Sequence, residues 1–186
     1  MAKLVQCIPN FSEGQNQDII NALVAVATSV PGVSLLDHSS DASHNRSVFT
    51  LVGEPEGIAE VAFQLTKLAS EKIDMTKHKG EHPRMGATDV VPFVPVKDVT
   101  VEECIEISKK VAERINKELS IPVFLYEDSA SSPSRVNLAA VRKGQFEGMA
   151  EKLQQPEWTP DYGEKKPHPT AGVVAVGARM PLVAFN

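Results

Sequence analysis

The order of apolar segments along the first half of the chain is the feature that most restricts its fold. Short apolar runs typical of β-strands alternate with longer stretches in which apolar residues recur at helical spacing. In order, these segments are residues 3–9, 15–30, 33–37, 47–52, 55–71 and 89–96. The succession strand, helix, strand, strand, helix, strand is that of the ferredoxin-like split βαβ arrangement.

The second half of the chain extends this unit. Thr100 followed by Glu103 is a capping-box signature, and it begins an apolar helical stripe that ends at Leu119. The segments predicted after it are a strand at 122–126, short helices at 136–143 and 146–153, a loop at 155–172, and one or two closing strands at 172–186. We therefore predict a single α+β domain over residues 1–186. It is a ferredoxin-like split βαβ elaborated into one mixed sheet, with helices packed on the outer side.

Charge and cysteine content exclude several classes of function. The chain has 19 Lys and Arg against 24 Asp and Glu, for a formal net charge of -5, so we expect no nucleic-acid partner. An anionic ligand would need a local basic cluster. Two cysteines are too few for a disulfide framework, the N-terminus lacks a signal-peptide pattern, and no run approaches the roughly 20 apolar residues of a membrane helix. We expect a cytoplasmic protein that does not insert into membranes.

The most unusual polar stretch, residues 75–86, connects the second helix to the fourth strand. It combines two histidines, two lysines, an arginine and a glutamate, in a location where binding groups are common. Read literally, His78 to His82 matches the H-x-x-E-H zinc motif, which needs both imidazoles on one helical face. Gly80 and Pro83 disfavour that helix, so we predict no metal site. A solvated connection is the alternative to a functional role.

His82 is the strongest catalytic candidate in this stretch. Pro83 favours an extended conformation at His82, and the neighbouring cations oppose protonation of its imidazole. A neutral imidazole can act first as a general base and then as a general acid.

Two polar segments at strand ends could also bind ligands. After the first strand, Asn10 or Ser12 could cap the first helix, or the free N–H groups of that helix could accept an anion. Between the second and third strands, Asn45 and Arg46 could grip a carboxylate. A long hairpin loop over residues 38–46 explains the same residues without a function.

The loop at residues 163–172 is the third such segment. It has a glycine at each end, two prolines in the middle and the adjacent pair Lys165 and Lys166. Terminal glycines permit hinge angles, prolines stiffen the segment between them, and the lysines supply positive charge. The composition suits a loop that closes over an acidic ligand, whereas an exposed crossover is the alternative.

Five stretches of this chain together carry a family resemblance: CIPNFSEG, HNR, DMTKHKGEHPRMGATDVVPFVPV, KLQQPEWTPDYG and AVGAR. They resemble the N-terminal half of the glutamate formimidoyltransferase family, over essentially the whole chain. The resemblance implies a mixed sheet with helices on its outer side. It also implies transfer of the formimino group from N-formimino-L-glutamate to N5 of tetrahydrofolate, the co-substrate, in histidine breakdown.

The resemblance further implies roles for individual residues. His82 would be the catalytic histidine, which takes a proton from N5 of the folate and returns it to the departing glutamate nitrogen. The folate-contacting loop would comprise Gly163, Glu164, Lys165, Lys166, Pro167, His168, Pro169, Thr170, Ala171 and Gly172. Groups that could meet substrate carboxylates are Asn10, Asn45, Arg46, Lys79 and Arg84, with Lys77, Lys165 and Lys166 as further sources of charge.

Two departures from the family pattern qualify this expectation. The family's enzyme continues into a second subdomain beyond the position of Asn186, and folate lies between the halves. We therefore expect a homodimer or a separately supplied second subdomain, and the alternative is a folate-binding or partner-binding half-domain without catalysis. Some members carry a carboxylate at the position of Ser39, a role that Asp37 or Asp41 would have to take. The cyclodeaminase domain of some members lies outside the resemblance, so no deaminase activity is expected.

Overall fold

Residues 2–181 are described by a computed structural model, and they form a seven-stranded sheet with helices on both faces. The strands are β1 (Leu4–Cys7), β2 (Asn10–Phe11), β3 (Val33–Asp41), β4 (Arg46–Gly53), β5 (Thr88–Lys97), β6 (Val123–Glu127) and β7 (Val174–Ala178). The α-helices are α1 (Gln17–Ala27), α2 (Pro55–Lys72), α3 (Val101–Leu119), α4 (Leu138–Arg142) and α5 (Gln145–Lys152). Short 3₁₀ helices cover Pro133–Arg135 and Pro156–Trp158.

The strand order across the sheet is β3, β4, β1 together with β2, β5, β7 and β6. Both β1 and β2 pair with β4 on one side and with β5 on the other, so β2 continues the line of β1. All pairings from β3 to β5 are antiparallel, whereas β5, β7 and β6 are mutually parallel. This topology confirms the predicted α+β fold, a split βαβ unit elaborated into one mixed sheet.

Two hydrophobic cores lie on opposite faces of the sheet, because successive strand residues point in opposite directions. Val91 and Val176 belong to the larger core, which α1, α2 and α3 cover. Their neighbours Val90 and Ala175 belong to a smaller core formed with α4 and α5. The two short helices cover only the β6 and β7 end of this second face. Towards β1 and β2 the same face lines an open cavity.

Helix starts follow from local hydrogen-bonding chemistry. Asn16 caps α1, since its side-chain oxygen accepts from two N–H groups of the first turn. The expected cap by Asn10 or Ser12 is wrong, because those side chains donate to main-chain carbonyls outside the helix. Thr100 caps α3 as predicted, accepting from the Glu103 N–H at 3.1 Å.

The β3–β4 hairpin is the main point at which the sequence prediction is wrong. β3 continues to Asp41 and β4 begins at Arg46, so the expected loop over residues 38–46 is only a turn over residues 42–45. β3 is an edge strand that is exposed along most of its length. It buries no alternate side chains, and its polar end therefore carries no strand periodicity.

The C-terminal part contains one of the expected closing strands, β7, and residues 182–186 lie outside the described residues. The short helices expected at 136–143 and 146–153 correspond to α4 and α5. Among the described residues, the structure contains no helix with the length and apolar character needed to cross a membrane.

Candidate functional site

Three of the polar segments singled out in the sequence meet at one edge of the open face. The Gly14 N–H donates to Asn45 Oδ1 at 2.8 Å, and Asn45 Nδ2 donates to the carbonyl of Lys79 at 3.0 Å. Ser12 Oγ donates to the carbonyl of Gly86 at 2.7 Å. These bonds join the end of β2, the β3–β4 turn and the segment before β5, although up to 74 residues separate the partners. The fold thus places His82 beside the hairpin.

His82 lines a cavity of about 330 Å³ on the open face. The polar side chains that share this cavity are Asn10, Arg46, Tyr126, Glu127, Arg142 and Arg179. Three arginines around one histidine give the local basic cluster that an anionic ligand requires in a chain of net negative charge.

A buried carboxylate organises two of these arginines. Asp89 has no exposed surface, and its Oδ2 accepts from Arg46 Nη2 at 3.0 Å and from Arg142 Nη2 at 2.6 Å. Its Oδ1 accepts from the Met85 N–H at 2.8 Å. Two guanidinium groups share one carboxylate, so the cluster keeps a net positive charge.

Two donors of this cluster have no acceptor among the described residues. Arg46 Nη1 and Arg142 Nε are both buried and unpartnered. Buried polar groups are normally hydrogen-bonded, and an unpaired donor is costly. The cluster therefore has hydrogen-bonding capacity that its own residues do not meet. Asn10 supports the same arrangement, because its Oδ1 accepts from Arg46 Nε at 3.2 Å.

The surroundings of His82 fix its tautomer and favour its neutral form. Its Nδ1 lies 2.6 Å from the carbonyl oxygen of Pro83. A carbonyl only accepts, so Nδ1 carries the hydrogen and Nε2 keeps a free lone pair. Burial lowers the pKa of His82 below 6.5, and the positive charge of Arg46 lowers it further. An uncharged imidazole with an available Nε2 is suited to accept a proton.

The zinc motif does not have the geometry that its chemistry needs. Residues 73–87 contain no helix, as Gly80 and Pro83 predict, so the two histidines do not share a helical face. Both ring nitrogens of His78 contact protein groups, namely Asn45 O at 3.0 Å and Arg84 Nε at 2.9 Å. Among the described residues no group of three or more His, Cys, Asp or Glu side chains is placed to hold a metal ion.

Arg84, a predicted substrate contact, directs its donors to groups within the protein. It is buried, and its five N–H groups all have acceptors within the protein. Those acceptors are His78 Nδ1, His78 O, Gln145 Oε1 and both carboxylate oxygens of Glu147, at 2.6–3.1 Å. These bonds tie the loop to α5 through Gln145 and Glu147.

The other residues predicted to contact substrate carboxylates, or to supply a carboxylate, differ in burial and in the groups that they contact. Asn45 is 7% exposed, and its amide bridges Gly14 and Lys79, as described above. The Lys79 side chain is exposed. Asp41 pairs with the neighbouring His44 at 3.2 Å, and neither Asp37 nor Asp41 lines the His82 cavity in the described part of the chain.

The loop at 163–172 is attached to the His82 segment at one end only. The Met75 N–H donates to Thr170 O at 2.8 Å, and the Ala87 N–H donates to Ala171 O at 2.9 Å. The earlier part of the loop lines a different cavity, of about 420 Å³, together with Asn116 and Ser120 at the end of α3. Within residues 2–181 this loop does not line the cavity that contains His82.

Sequence reasoning missed Asp89, Arg142 and Glu147. Asp89 was predicted only as the first residue of an apolar strand, although an acidic residue at the head of a buried strand is itself a signal for a buried ion pair. Arg142 and Glu147 lie on the predicted short helices at 136–143 and 146–153, where a charged residue is ordinary, so no local pattern distinguishes them.

The sequence matches the family model "Formiminotransferase domain, N-terminal subdomain" over residues 4–179. It is 75% identical over 186 residues to the glutamate formimidoyltransferase of Streptococcus pyogenes serotype M1, covering 100% of this chain and 62% of that protein. It is 49% identical over 186 residues to the formimidoyltransferase-cyclodeaminase of Mus musculus, covering 100% of this chain and 34% of that protein. The glutamate formimidoyltransferase of Thermoplasma acidophilum is 43% identical over 185 residues, which is 98% of this chain and 61% of that protein. The chain thus spans less than two thirds of each of these relatives.

Proposed function

Because the chain belongs to the family of formiminotransferase N-terminal subdomains, we propose that it takes part in transfer of the formimino group from N-formimino-L-glutamate to N5 of tetrahydrofolate. The names of its relatives support a formimino transferase in general terms. The observation that carries the finer proposal is His82, a histidine whose environment favours the neutral form, in a cavity that it shares with Arg46 and Arg142.

The reaction needs one proton to move between two nitrogens. N5 of the folate attacks the formimino carbon, and a bond forms while N5 becomes cationic. His82 Nε2 takes the N5 proton, and the resulting imidazolium gives it to the glutamate nitrogen as the bond from carbon to that nitrogen breaks. The products are 5-formimino-tetrahydrofolate and glutamate. Such proton transfer by a positioned imidazole contributes about 10²- to 10⁴-fold in rate.

The arginine cluster would hold the glutamate portion of the donor. Arg46 and Arg142 both line the cavity, and each has one buried donor, Arg46 Nη1 and Arg142 Nε, without an acceptor among the described residues. Asn10 and the exposed Lys79 are additional polar groups near this end of the sheet. Charge-assisted hydrogen bonds of this kind are stronger than neutral ones, and guanidinium groups suit carboxylates geometrically.

The loop at 163–172 is the proposed contact for the folate, with tetrahydrofolate as co-substrate and no metal. Its separation from the His82 cavity suggests that the complete cleft needs another part. A second subdomain or a partner copy in a homodimer would supply it, consistent with relatives that are longer than this chain. A cytoplasmic location belongs to the same proposal, since Cys7 and Cys104 are buried free thiols.

A folate-binding half-domain without turnover is the second candidate, and the same separation of the two cavities favours it. Transfer of labelled formimino group to tetrahydrofolate distinguishes the two candidates. The assay is run with the chain alone and with the second subdomain of a relative added as a separate polypeptide. Label in the folate product in either mixture supports the proposal. Folate binding without label transfer in both mixtures would support the half-domain.

A further inference from the structure

The segment that carries His82 contains no helix or strand, yet it is fastened at several points. The Glu81 N–H donates to Ser43 O at 3.1 Å, and the Phe146 N–H donates to Arg84 O at 3.0 Å. These bonds attach the segment to the β3–β4 turn on one side and to α5 on the other. His82 lies between the two attachment points, so its position depends on both.

A hydrogen-bonded network also links α5 to the β3–β4 turn, through residues that flank His82 in the sequence. The carboxylate of Glu147, in the first turn of α5, binds Arg84 through both oxygens, at 2.6 and 2.8 Å. Arg84 Nε donates to Nδ1 of His78 at 2.9 Å, and Nε2 of His78 lies 3.0 Å from the carbonyl oxygen of Asn45. His78 and Arg84 are four residues before and two residues after His82.

The donors and acceptors of this hydrogen-bonded network are compatible with only one protonation state of His78. Arg84 can only donate, so Nδ1 of His78 must accept and carries no hydrogen. The carbonyl of Asn45 can only accept, so Nε2 carries the hydrogen. His78 therefore has no lone pair left for proton transfer, in contrast to His82, whose Nε2 is free.

We propose that Glu147, Arg84 and His78 are positioning residues for His82, which hold its loop between α5 and the β3–β4 turn so that Nε2 faces the cavity. The inference rests on the proposed function in taking His82 as the proton carrier. Only the Glu147 end of the network is well exposed, with 65% of its side chain accessible, whereas Arg84 is buried. Glu147 can thus be changed without opening a hole in the core.

The first test needs no activity. Imidazole ¹⁵N spectra are recorded on the parent chain, on Glu147→Ala and on Glu151→Ala, a control at an exposed glutamate one turn later on α5. In the parent we expect His78 as the Nε2–H tautomer and His82 as the Nδ1–H tautomer. Glu147→Ala should shift the His82 signals towards a mixture of tautomers, and Glu151→Ala should leave them unchanged. Identical His82 signals in all three proteins would overturn the proposal, whether or not the chain catalyses transfer.

The second test uses the catalytically competent assembly. Misplacement of a catalytic group by about 1 Å can cost on the order of 10²-fold in rate. We expect Glu147→Ala to lower kcat at least about tenfold with KM for both substrates within about twofold, because binding groups stay in place. Glu147→Asp should recover part of the loss, since it keeps a carboxylate. Unchanged kcat in Glu147→Ala, or a loss equal to that of Glu151→Ala, would contradict a positioning role.

Discussion

Asp89 is the residue on which the cationic cavity depends. Its carboxylate has no exposed surface and binds both Arg46 and Arg142. A buried carboxylate is costly to desolvate, and its two ion pairs and the Met85 N–H bond offset that cost. Removal of its charge would leave the guanidinium groups of buried Arg46 and partly buried Arg142 without a counter-charge.

We expect Asp89→Asn to lower the free energy of unfolding by about 3–5 kcal/mol, the usual range when one partner of a buried ion pair is lost. Urea denaturation measures the change. Asp98→Asn is a matched control, because Asp98 is exposed and its φ of 54° is one that asparagine tolerates. The control should change stability by less than about 0.5 kcal/mol. Equal stability of the two variants would show that Asp89 does not organise the cluster.

His78 gives the stability of the domain a predictable dependence on pH. Burial lowers the pKa of His78 below its ordinary 6.5, and the charge of Arg84 lowers it further, whereas the hydrogen bond to the Asn45 carbonyl and the charges of Glu13 and Glu147 oppose the shift. The folded state therefore favours neutral His78. The contribution of neutral His78 to the free energy of unfolding is fully present above pH 6.5, its pKa in the unfolded chain. It is lost as the pH falls through the lower pKa of His78 in the folded protein.

The measurement compares unfolding free energies of the parent and of His78→Gln between pH 8 and about pH 5. Glutamine can accept from Arg84 and donate to the Asn45 carbonyl, but it does not titrate. We expect the parent to lose more stability than the variant on acidification. Parallel pH curves for the two proteins would mean that His78 titrates normally.

The junction between the β5 entry and β7 depends on close contact of two backbones. A Cβ added at Gly86 would lie 2.1 Å from the carbonyl oxygen of Val173 and 2.9 Å from that of Ala171, and neither can move independently of the sheet. By contrast, a Cβ added at Gly148, inside α5, meets nothing within 4 Å.

Alanine substitutions at these two glycines should change the stability of the protein in opposite directions. Gly86→Ala should destabilise the protein by about 1–3 kcal/mol, because the strands must separate. Gly148→Ala should stabilise it by about 0.5–1 kcal/mol, the usual gain from removing a glycine within a helix. Thermal unfolding of both variants checks the pair. A Gly86→Ala variant as stable as the parent would contradict the close backbone contact between Gly86 and Val173.

The lysines of the 163–172 loop give a test of the proposed folate contact. Lys165 and Lys166 are both exposed, and exposed ion pairs contribute about 0.2–1 kcal/mol each. Replacing both by glutamine should weaken folate binding several-fold at low salt, with a smaller loss at high salt because ions screen the interaction. Replacing Lys109 and Lys110, an adjacent exposed pair on α3, should have no effect on folate binding. An unaltered folate affinity in the loop variant would show that these lysines do not bind the folate, and the segment would then be an exposed crossover.

Local patterns in the sequence predict the elements of this fold better than the contacts within its site. The helical stripes of α2 and α3 and the apolar run of β5 fix those elements, because each has a clear period. The edge strand β3 escapes prediction at its polar end, since it has no buried face. The basic, proline-bounded setting of His82 makes it a candidate in the sequence, and the structure places it in a cavity with Arg46 and Arg142. Asp89 and Arg142 could not be paired in advance, because 53 residues separate them and only the fold brings them together.

At the level of the whole molecule, the two proposed binding regions are separate. His82 and the arginine cluster lie on the open face of β1, β2 and β5, whereas the 163–172 loop lines a cavity near the end of α3. The chain also spans only 62% of its Streptococcus relative. A second subdomain or partner copy that joins the two regions is therefore part of the proposed function, and mixing experiments should show higher turnover than the chain alone.

The most direct measurement is kcat of His82→Ala in the catalytically competent assembly, with the dissociation constant for tetrahydrofolate determined on the same preparation. We predict a fall in kcat of about 10²- to 10⁴-fold, as expected for loss of a proton carrier. Folate affinity should stay within about twofold, because the proposed folate contacts lie elsewhere. An unchanged kcat in an active preparation would show that His82 does not carry the proton in this reaction.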